Sequence, residues 1–388
     1  MWERVTDGSR NRQGPGGRWG LVLVVLLSVT GATARAQDGG LDETVAAASA
    51  ALQRGDDAGA EALYRRALQM QPGSVPLLNN LALSVGHQQR FDEEIALLRE
   101  ALLQRPGDVI TERNLGVALF RAKQYEEAAP LLEQAATGVE SYQLAELAGL
   151  DLFALNRYRE AARYLEKANA LKPDSLETLN VLGKAYLQVG DYAGVRRIFG
   201  KVMALNPNSA EAHVMLAMAY DKLFQEDDAI REFNLAAQVD PRYPGIHSGL
   251  GVIYWREEKP EEAKREFALE LQRFPNDAVA NCTMGRILRR EDRPKEAIAF
   301  FAAALAANPG YADALRGMGQ SQLAVHAPEQ ALPPLEKLLT LVPADADAHF
   351  IYGTALLEVG RSREGATERK KAGELLAVRH GDGAGTKP

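Results

Sequence analysis

Eight prolines recur through this chain at a nearly constant spacing, and this spacing constrains the fold more than any other feature. They are Pro72, Pro106, Pro173, Pro207, Pro241, Pro275, Pro309 and Pro343. Successive members lie 34 residues apart, except that the step from 106 to 173 spans two intervals and is one residue short. Because proline ends a helix, a fixed spacing predicts an array of short units rather than a few large globular domains.

Each unit has the same internal order. Counting back 31 residues from each proline places unit starts at 41, 75, 109, 142, 176, 210, 244, 278, 312 and 346, which makes ten units. Within a unit, two apolar segments of helical period are separated by a short polar or glycine-containing break, as in LQVGDY at 187–192. The unit is therefore predicted to be a helix, a tight turn, a second helix and a proline stop.

Two columns of the aligned units predict how the helices pack. Position 8 holds only glycine or alanine, although glycine costs ~1 kcal/mol inside a helix. Its members are Ala48, Ala82, Gly116, Gly149, Gly183, Ala217, Gly251, Gly285, Gly319 and Gly353. Position 24 is large and apolar, as in Tyr64, Leu98, Leu132, Leu165, Phe199, Phe233, Phe267, Phe301 and Leu335. Large side chains are thus predicted to face small ones at a close helix–helix contact.

A small residue at position 8, alanine at 20 and 27, an aromatic residue or leucine at 24 and proline at 32 resemble the tetratricopeptide repeat. The resemblance implies an all-α fold, a right-handed superhelical solenoid of antiparallel helix pairs over residues 37–379. The first helices of the pairs would line a concave groove. Glu94 and Glu270 depart from the pattern, because they stand where small residues are expected. Repeat 3 also lacks its closing proline, which predicts either a shortened loop or a hinge.

The tenth unit is predicted to cap the array. Its second helix carries Arg369 where a large apolar residue normally packs. A polar outer face is what a terminal repeat needs, because no further repeat covers it. Residues 380–388 are expected to form a disordered tail.

The first 36 residues have the order of a secretory signal. Four arginines up to Arg18 precede an apolar run at 21–29 and a small-residue stretch that ends at Ala36. We expect export to a periplasmic or extracellular compartment, with cleavage after Ala36 or Ala34, or retention of the segment as an anchor. Cleavage would leave no stable membrane span. It would also shift the net charge from −7 to −10, because five arginines and two acidic residues are removed. So acidic a chain argues against a nucleic-acid partner.

No catalytic motif is evident, so the sequence predicts a protein that is not an enzyme and needs no cofactor. His213, His247 and His349 share position 4 of their units, which allows either a metal pair or ordinary packing. Packing is the favoured interpretation, and no metal site is predicted. Cys282 is the single cysteine, and it is predicted to be a packed apolar residue rather than a groove thiol or a link between chains.

Groove chemistry is predicted from positions 2, 5, 6, 9, 12 and 13 of the first helices, which the resemblance places toward the concave side. A cationic strip across repeats 5–9 would attract acidic segments or an anionic polymer. It consists of Lys184, Lys222, Arg256, Arg286, Arg289, Arg290 and Arg316. Position 13 also carries His87 and Arg121 earlier in the chain. The alternative for position 13 is that cations there stabilise the negative end of the helix dipole.

Aromatic and amide side chains complete the candidate set. Phe120, Phe153 and Trp255 at position 12 are predicted either to anchor a partner or to pack against a neighbouring helix. A second group could hold the backbone of an extended peptide, because amides both donate and accept. It contains Asn79, Asn80, Arg113, Asn114 and Asn180. Glu146 and Leu147 interrupt this row.

The function expected from these features is a non-enzymatic protein–protein interaction scaffold of the cell envelope that binds partners along its groove. The partner would be a protein or an extended peptide, acidic if the cationic strip is used. Two alternatives stay open. One is an accessory protein that binds an anionic polysaccharide or serves its export, and the other is an adaptor that recruits a separate enzyme.

Overall fold

The computed structural model describes residues 38–381, and within that range every regular element is an α-helix. The segment predicted as a signal and the last seven residues lie outside the described range. In chain order the helices are α1 (Asp38–Gln53), α2 (Asp57–Met70), α3 (Val75–His87), α4 (Phe91–Gln104), α5 (Val109–Arg121), α6 (Tyr125–Gly138), α7 (Tyr142–Ala154), α8 (Tyr158–Leu171), α9 (Leu176–Val189), α10 (Tyr192–Leu205), α11 (Ala210–Lys222), α12 (Glu226–Val239), α13 (Ile246–Arg256), α14 (Pro260–Arg273), α15 (Ala278–Arg290), α16 (Pro294–Ala307), α17 (Ala312–Ala324), α18 (Pro328–Leu341), α19 (Ala346–Glu358) and α20 (Ser362–Gly381).

These helices form ten antiparallel pairs, which confirms the prediction of an all-α array of about ten repeats. Odd-numbered helices are the first helices of their repeats, and even-numbered helices are the second. The chain divides after Pro207 into two compact units. We call residues 38–207 the N-terminal unit and residues 208–381 the C-terminal unit. Helix α20 extends to Gly381, two residues beyond the predicted end of the array. No helix between residues 38 and 381 is both long and apolar enough to span a bilayer.

The turn inside every repeat has the same backbone geometry. Position 15 adopts a positive φ in all ten repeats, so a left-handed residue follows the end of each first helix. Glycine occupies this position three times, at Gly55, Gly190 and Gly360. Phe224, with φ of 55°, is the bulkiest residue to adopt it, and it is also 74% exposed. A left-handed backbone is strained for such a side chain.

The predicted contact between positions 8 and 24 is present in both units. A Cβ placed on Gly251 would lie 2.7 Å from the Phe267 ring, and one on Gly149 would lie 2.6 Å from Leu165. Phe267 and Leu165 are both fully buried. The glycines are therefore required because the facing side chain fills the space that any other residue would occupy.

Caps fix where the helices begin. The side chains of Asp108, Ser175 and Asp345 accept hydrogen bonds from amides in the first turns of α5, α9 and α19. Pro260, Pro294 and Pro328 begin α14, α16 and α18, where the missing N–H costs nothing. Helix α13 begins at Ile246, two residues after the predicted start of its repeat, because Gly245 has a left-handed backbone.

Candidate partner-binding surface

The predicted site residues lie on one side of the first helices, which we call the first-helix face: positions 2, 5, 6, 9, 12 and 13. In the N-terminal unit, position 5 bonds to the next repeat. Asn79 Nδ2 donates to Thr111 Oγ1 at 2.7 Å, and Asn114 Nδ2 donates to Asn79 Oδ1 at 2.9 Å. Thr178 Oγ1 likewise donates to Glu146 Oε1 at 2.6 Å. These polar groups hold adjacent repeats together, which leaves Asn79 few free groups for a peptide backbone.

Position 5 plays the same part in the C-terminal unit. Ser248 Oγ donates to Asp277 Oδ1 at 3.0 Å, and Asp277 is the residue that caps the next first helix. Arg316 pairs with Asp345, which caps α19, and with Asp313 at 3.0 Å. Arg316 is therefore matched by two carboxylates within the chain.

Position 13 reaches back to the preceding repeat. His87 Nδ1 lies 2.8 Å from Asp57 Oδ1, and Arg121 pairs with Glu94. Arg256 lies 2.7 Å from Asp221 Oδ1 and 3.3 Å from Glu226 Oε1. These contacts give position 13 a structural reason for carrying cations that neither sequence interpretation contained.

Arg290, also at position 13, contacts an aromatic ring instead of a carboxylate. Its guanidinium lies 4.9 Å from the centre of the Trp255 ring, which belongs to the preceding repeat. At this distance the cation is attracted to the ring face. Trp255 is half-buried, and one of its sides packs against the apolar cluster that contains Ile287. The indole is thus held in place by the chain itself.

The rest of the predicted strip divides into paired and unpaired cations. Lys222 lies 3.9 Å from Asp221 on its own helix, and Lys184, in the N-terminal unit, also has an interaction within the protein. Arg286 and Arg289 form no ion pair with any residue in the described part of the chain. The pKa of Arg289 is lowered, first by burial and then by the nearby charge of Arg286. Two like charges are therefore close together without a compensating anion.

The aromatic candidates of the N-terminal unit pack within their own repeats. The ring centroids of Phe120 and Tyr125 are 5.8 Å apart, and those of Phe153 and Tyr158 are 5.2 Å apart in an edge arrangement. Both geometries are favourable for aromatic pairs. Packing thus explains Phe120 and Phe153, and their use by a partner stays a prediction.

Three polar candidates of the N-terminal unit stay outside these contacts between repeats. Arg113 only approaches the Asn114 amide oxygen, at 3.5 Å. Asn80 is half-buried, and the Oδ1 atom of Asn180 is buried without a hydrogen-bond partner among the described residues. Their role in binding stays a prediction.

The three position-4 histidines each pair with a glutamate of the same repeat. Nδ1 of His213 and of His247 lies 2.7 Å from Glu232 Oε2 and Glu266 Oε2, respectively. His349 Nδ1 lies 2.5 Å from Glu368. Glutamate occurs at position 23 only in these three repeats, which is a signal that sequence analysis missed. Each imidazole is used within its own helix pair, and residues 38–381 contain no group of three side chains able to hold a metal.

Cys282 is 1% exposed and packs in an apolar cluster with Phe301, which confirms the packing interpretation. Burial raises the pKa of its thiol to about 12. A buried, protonated thiol is a poor nucleophile.

Buried carboxylates are the main feature that the sequence did not explain. Glu270 accepts from the amides of Gly245 at 2.8 Å and Ser248 at 3.2 Å, so it caps α13, whose own N-cap residue is a glycine. Glu94 fills space left by Gly86, where a Cβ would collide with its carboxylate. Asp151 is fully buried, and neither of its oxygens has a hydrogen-bond partner among the described residues.

Comparison with protein families agrees with this architecture. Models described as tetratricopeptide repeat match residues 45–109, 80–142 and 249–312, residues 152–217, and residues 210–243. Together these segments cover more than half of the sequence. The chain therefore belongs to the tetratricopeptide-repeat family, whose members are generally protein-binding scaffolds.

Solved structures resemble the chain more loosely. The chain is 17% identical to human IFIT1 bound to m7Gppp-AAAA over 78% of this chain and 77% of that one, with a TM-score of 0.47. It is 16% identical to yeast Tom70 over 86% and 85% of the two chains, with a TM-score of 0.46. YrrB, a TPR protein with an unusual peptide-binding site, is 20% identical over 46% of this chain and 92% of its own, with a TM-score of 0.43. No curated protein matches the chain.

Proposed function

We propose that this protein is an exported scaffold of the cell envelope that binds polypeptide partners along the first-helix face and catalyses no reaction. The observation that carries the proposal is the array itself. Ten helix pairs follow one another between residues 38 and 381, joined by connections of a few residues. Such an array presents a long row of side chains to a partner, as the scaffolds of its family do.

Photo-crosslinking tests the use of the first-helix face. A benzophenone amino acid would replace Gln320, at position 9 of repeat 9, or Leu83, at position 9 of repeat 2; both residues are half-buried. Lys337, exposed on α18, is the control position. We expect the same polypeptide, identified by mass spectrometry, to be captured from both first-helix positions and not from Lys337. Equal capture at Lys337 would contradict use of this face.

The envelope location rests on the sequence of residues 1–36. A basic segment, an apolar run too short to span a bilayer and a small-residue stretch support export. The test is N-terminal sequencing of the protein recovered from periplasmic and culture fractions of a bacterial host. A mature chain that begins at Gln37 or at Arg35 is expected. An unprocessed chain in the cytoplasm would contradict export.

The polysaccharide alternative depends on a long cationic strip. Arg256 and Arg316 are matched by carboxylates of the chain, and Arg290 lies over Trp255. Fewer cations are therefore available than the sequence suggested, and this alternative is less well supported. The adaptor alternative is a special case of the scaffold. It would be favoured if the captured polypeptide were itself an enzyme.

A further inference from the structure

We propose that Arg286 and Arg289 on α15 form a discrete site that binds two carboxylates of an acidic polypeptide segment. This inference rests on the proposed scaffold function, and it names the chemistry of one partner and the residues that receive it. It concerns the C-terminal unit alone.

Arg286 and Arg289 lie three residues apart on α15. Residues three apart in a helix lie on the same side of it, with Cβ atoms ~5–6 Å apart. Both residues are exposed, and neither forms an ion pair with an acidic residue in residues 38–381. Burial, and after it the repulsive charge of Arg286, lowers the pKa of Arg289. An anion placed between them would relieve this repulsion.

The nearby charges do not supply that anion. Asp313 lies close enough to influence the Cys282 thiol and the Tyr311 hydroxyl, as Arg286 does. However, the Asp313 carboxylate pairs with Arg316, which Asp345 also neutralises. Thus Asp313 and Asp345 are already paired with Arg316, and Arg286 and Arg289 are left without an acidic partner.

These cations without acidic partners are confined to one repeat, and this decides between an acidic polypeptide and an anionic polysaccharide as the partner. An anionic polysaccharide repeats its charge, so it would be matched by unpaired cations in successive repeats. Arg256 in the preceding repeat and Arg316 in the following one are both paired within the chain. Cations without an acidic partner at positions 9 and 12 of one repeat, flanked by repeats whose Arg256 and Arg316 are paired, instead fit a short acidic motif.

The chemistry of the site suits carboxylates. The planar guanidinium donates two parallel hydrogen bonds to one carboxylate, so two arginines can receive two acidic side chains. Trp255 lies on α13 of the preceding repeat, its ring faces Arg290 of α15, and it adds a half-buried aromatic surface. Such a surface gives an apolar side chain of the same partner a place to pack.

Fluorescence anisotropy with labelled peptides tests the site in the full-length protein. The probe is a capped decapeptide of five Glu–Ser repeats, and five Gln–Ser repeats serve as the uncharged comparison. The test variant is Arg286→Ala with Arg289→Ala. The control variant is Arg242→Ala with Arg265→Ala, which removes the same charge from two exposed arginines of the same unit. An oligomer of galacturonate is the polysaccharide arm.

We expect the Glu–Ser peptide to bind and the Gln–Ser peptide not to bind. The test variant should lose at least tenfold in affinity, because charge-assisted hydrogen bonds are lost, while the control variant stays within about twofold. Absence of Glu–Ser binding, or equal losses in the two variants, would overturn the site. Tighter binding of the galacturonate oligomer, lost in the test variant, would overturn the polypeptide partner. Capture of a polypeptide by crosslinking with no effect of the two arginines would refute this site and leave the scaffold function intact.

Discussion

The N-terminal and C-terminal units share their apolar packing and differ in which charged side chains lack a partner. The N-terminal unit buries Glu94 and Asp151, each with at least one carboxylate oxygen that lacks a hydrogen-bond partner. In the C-terminal unit, buried Glu270 caps a helix, and buried Asp221 lies 2.7 Å from Arg256 although its Oδ1 atom has no hydrogen-bond partner among the described residues. That unit instead leaves Arg286 and Arg289 unpaired at its surface. Asp151 is thus a buried carboxylate without a hydrogen-bond partner among the described residues, whereas Arg286 and Arg289 are exposed cations without an acidic partner there.

The largest expected effect tests whether the apolar packing is the same in both units. Gly183→Leu and Gly251→Leu should each destabilise the protein by about 3 kcal/mol, because the new side chain collides with Phe199 or Phe267. Urea unfolding, with hydrogen exchange to locate the loosened unit, measures this. Gly200→Leu and Gly373→Leu are the controls, because a Cβ at either position meets nothing within 4 Å. A large difference between the two test variants would mean that the units pack by different rules.

The second prediction concerns the satisfied carboxylate of the C-terminal unit. Glu270→Ala should destabilise the protein by about 2–3 kcal/mol, because the amides of Gly245 and Ser248 lose their buried acceptor. Thermal unfolding at neutral pH measures the loss. Glu270→Gln should retain part of the stability, since its amide oxygen can still accept. If the alanine variant were as stable as the wild type, the cap would contribute nothing to the free energy of unfolding.

The third prediction is a substitution in the N-terminal unit that should raise the stability of the protein rather than lower it. Burial raises the pKa of Asp151 to about 7, Arg157 lowers it, and Glu126 and Glu133 raise it further. The folded state therefore retains a proton that the unfolded state releases near pH 4, so stability should fall as pH rises from 4 to 7. Position 10 is alanine in half of the repeats. Asp151→Ala should thus stabilise the protein by about 1–3 kcal/mol at pH 8 and change little at pH 4.

Unfolding of this variant and of the wild type across pH 4–8 checks the third prediction. Glu94, whose pKa burial also raises to about 7, contributes the same trend in both proteins. The difference between the two curves is therefore the contribution of Asp151. A constant difference at every pH would contradict a buried, titrating carboxylate.

The smallest expected effect concerns the turns. Phe224→Gly in the C-terminal unit should stabilise the protein by about 1 kcal/mol, because glycine adopts the left-handed backbone without strain. Gly190→Phe is the reverse change at the same position of the N-terminal unit, and it should destabilise by a similar amount. Melting temperatures of the two variants check this. Destabilisation by Phe224→Gly would show that the exposed ring, with Arg256 5.8 Å from its centre, makes contacts that offset the strain.

Much of the fold could be predicted from the sequence, because the residues that determine it act locally or recur at a fixed period. The 34-residue proline spacing, the small residues at position 8 and the large residues at position 24 each act within one helix pair. Gly251 faces Phe267 as its column predicted. The ten repeats, the helical class and the packing columns could thus be derived without coordinates.

The polar residues could not be assigned in this way, because their roles depend on distances between repeats. Asn79 meets Thr111 and Arg256 meets Asp221 only when successive helix pairs are stacked at a particular separation. The sequence presented Arg256 and Arg286 as equivalent members of one strip. Tertiary structure alone decided that the first is matched by a carboxylate and the second is not, because ion pairing requires charged atoms within about 4 Å.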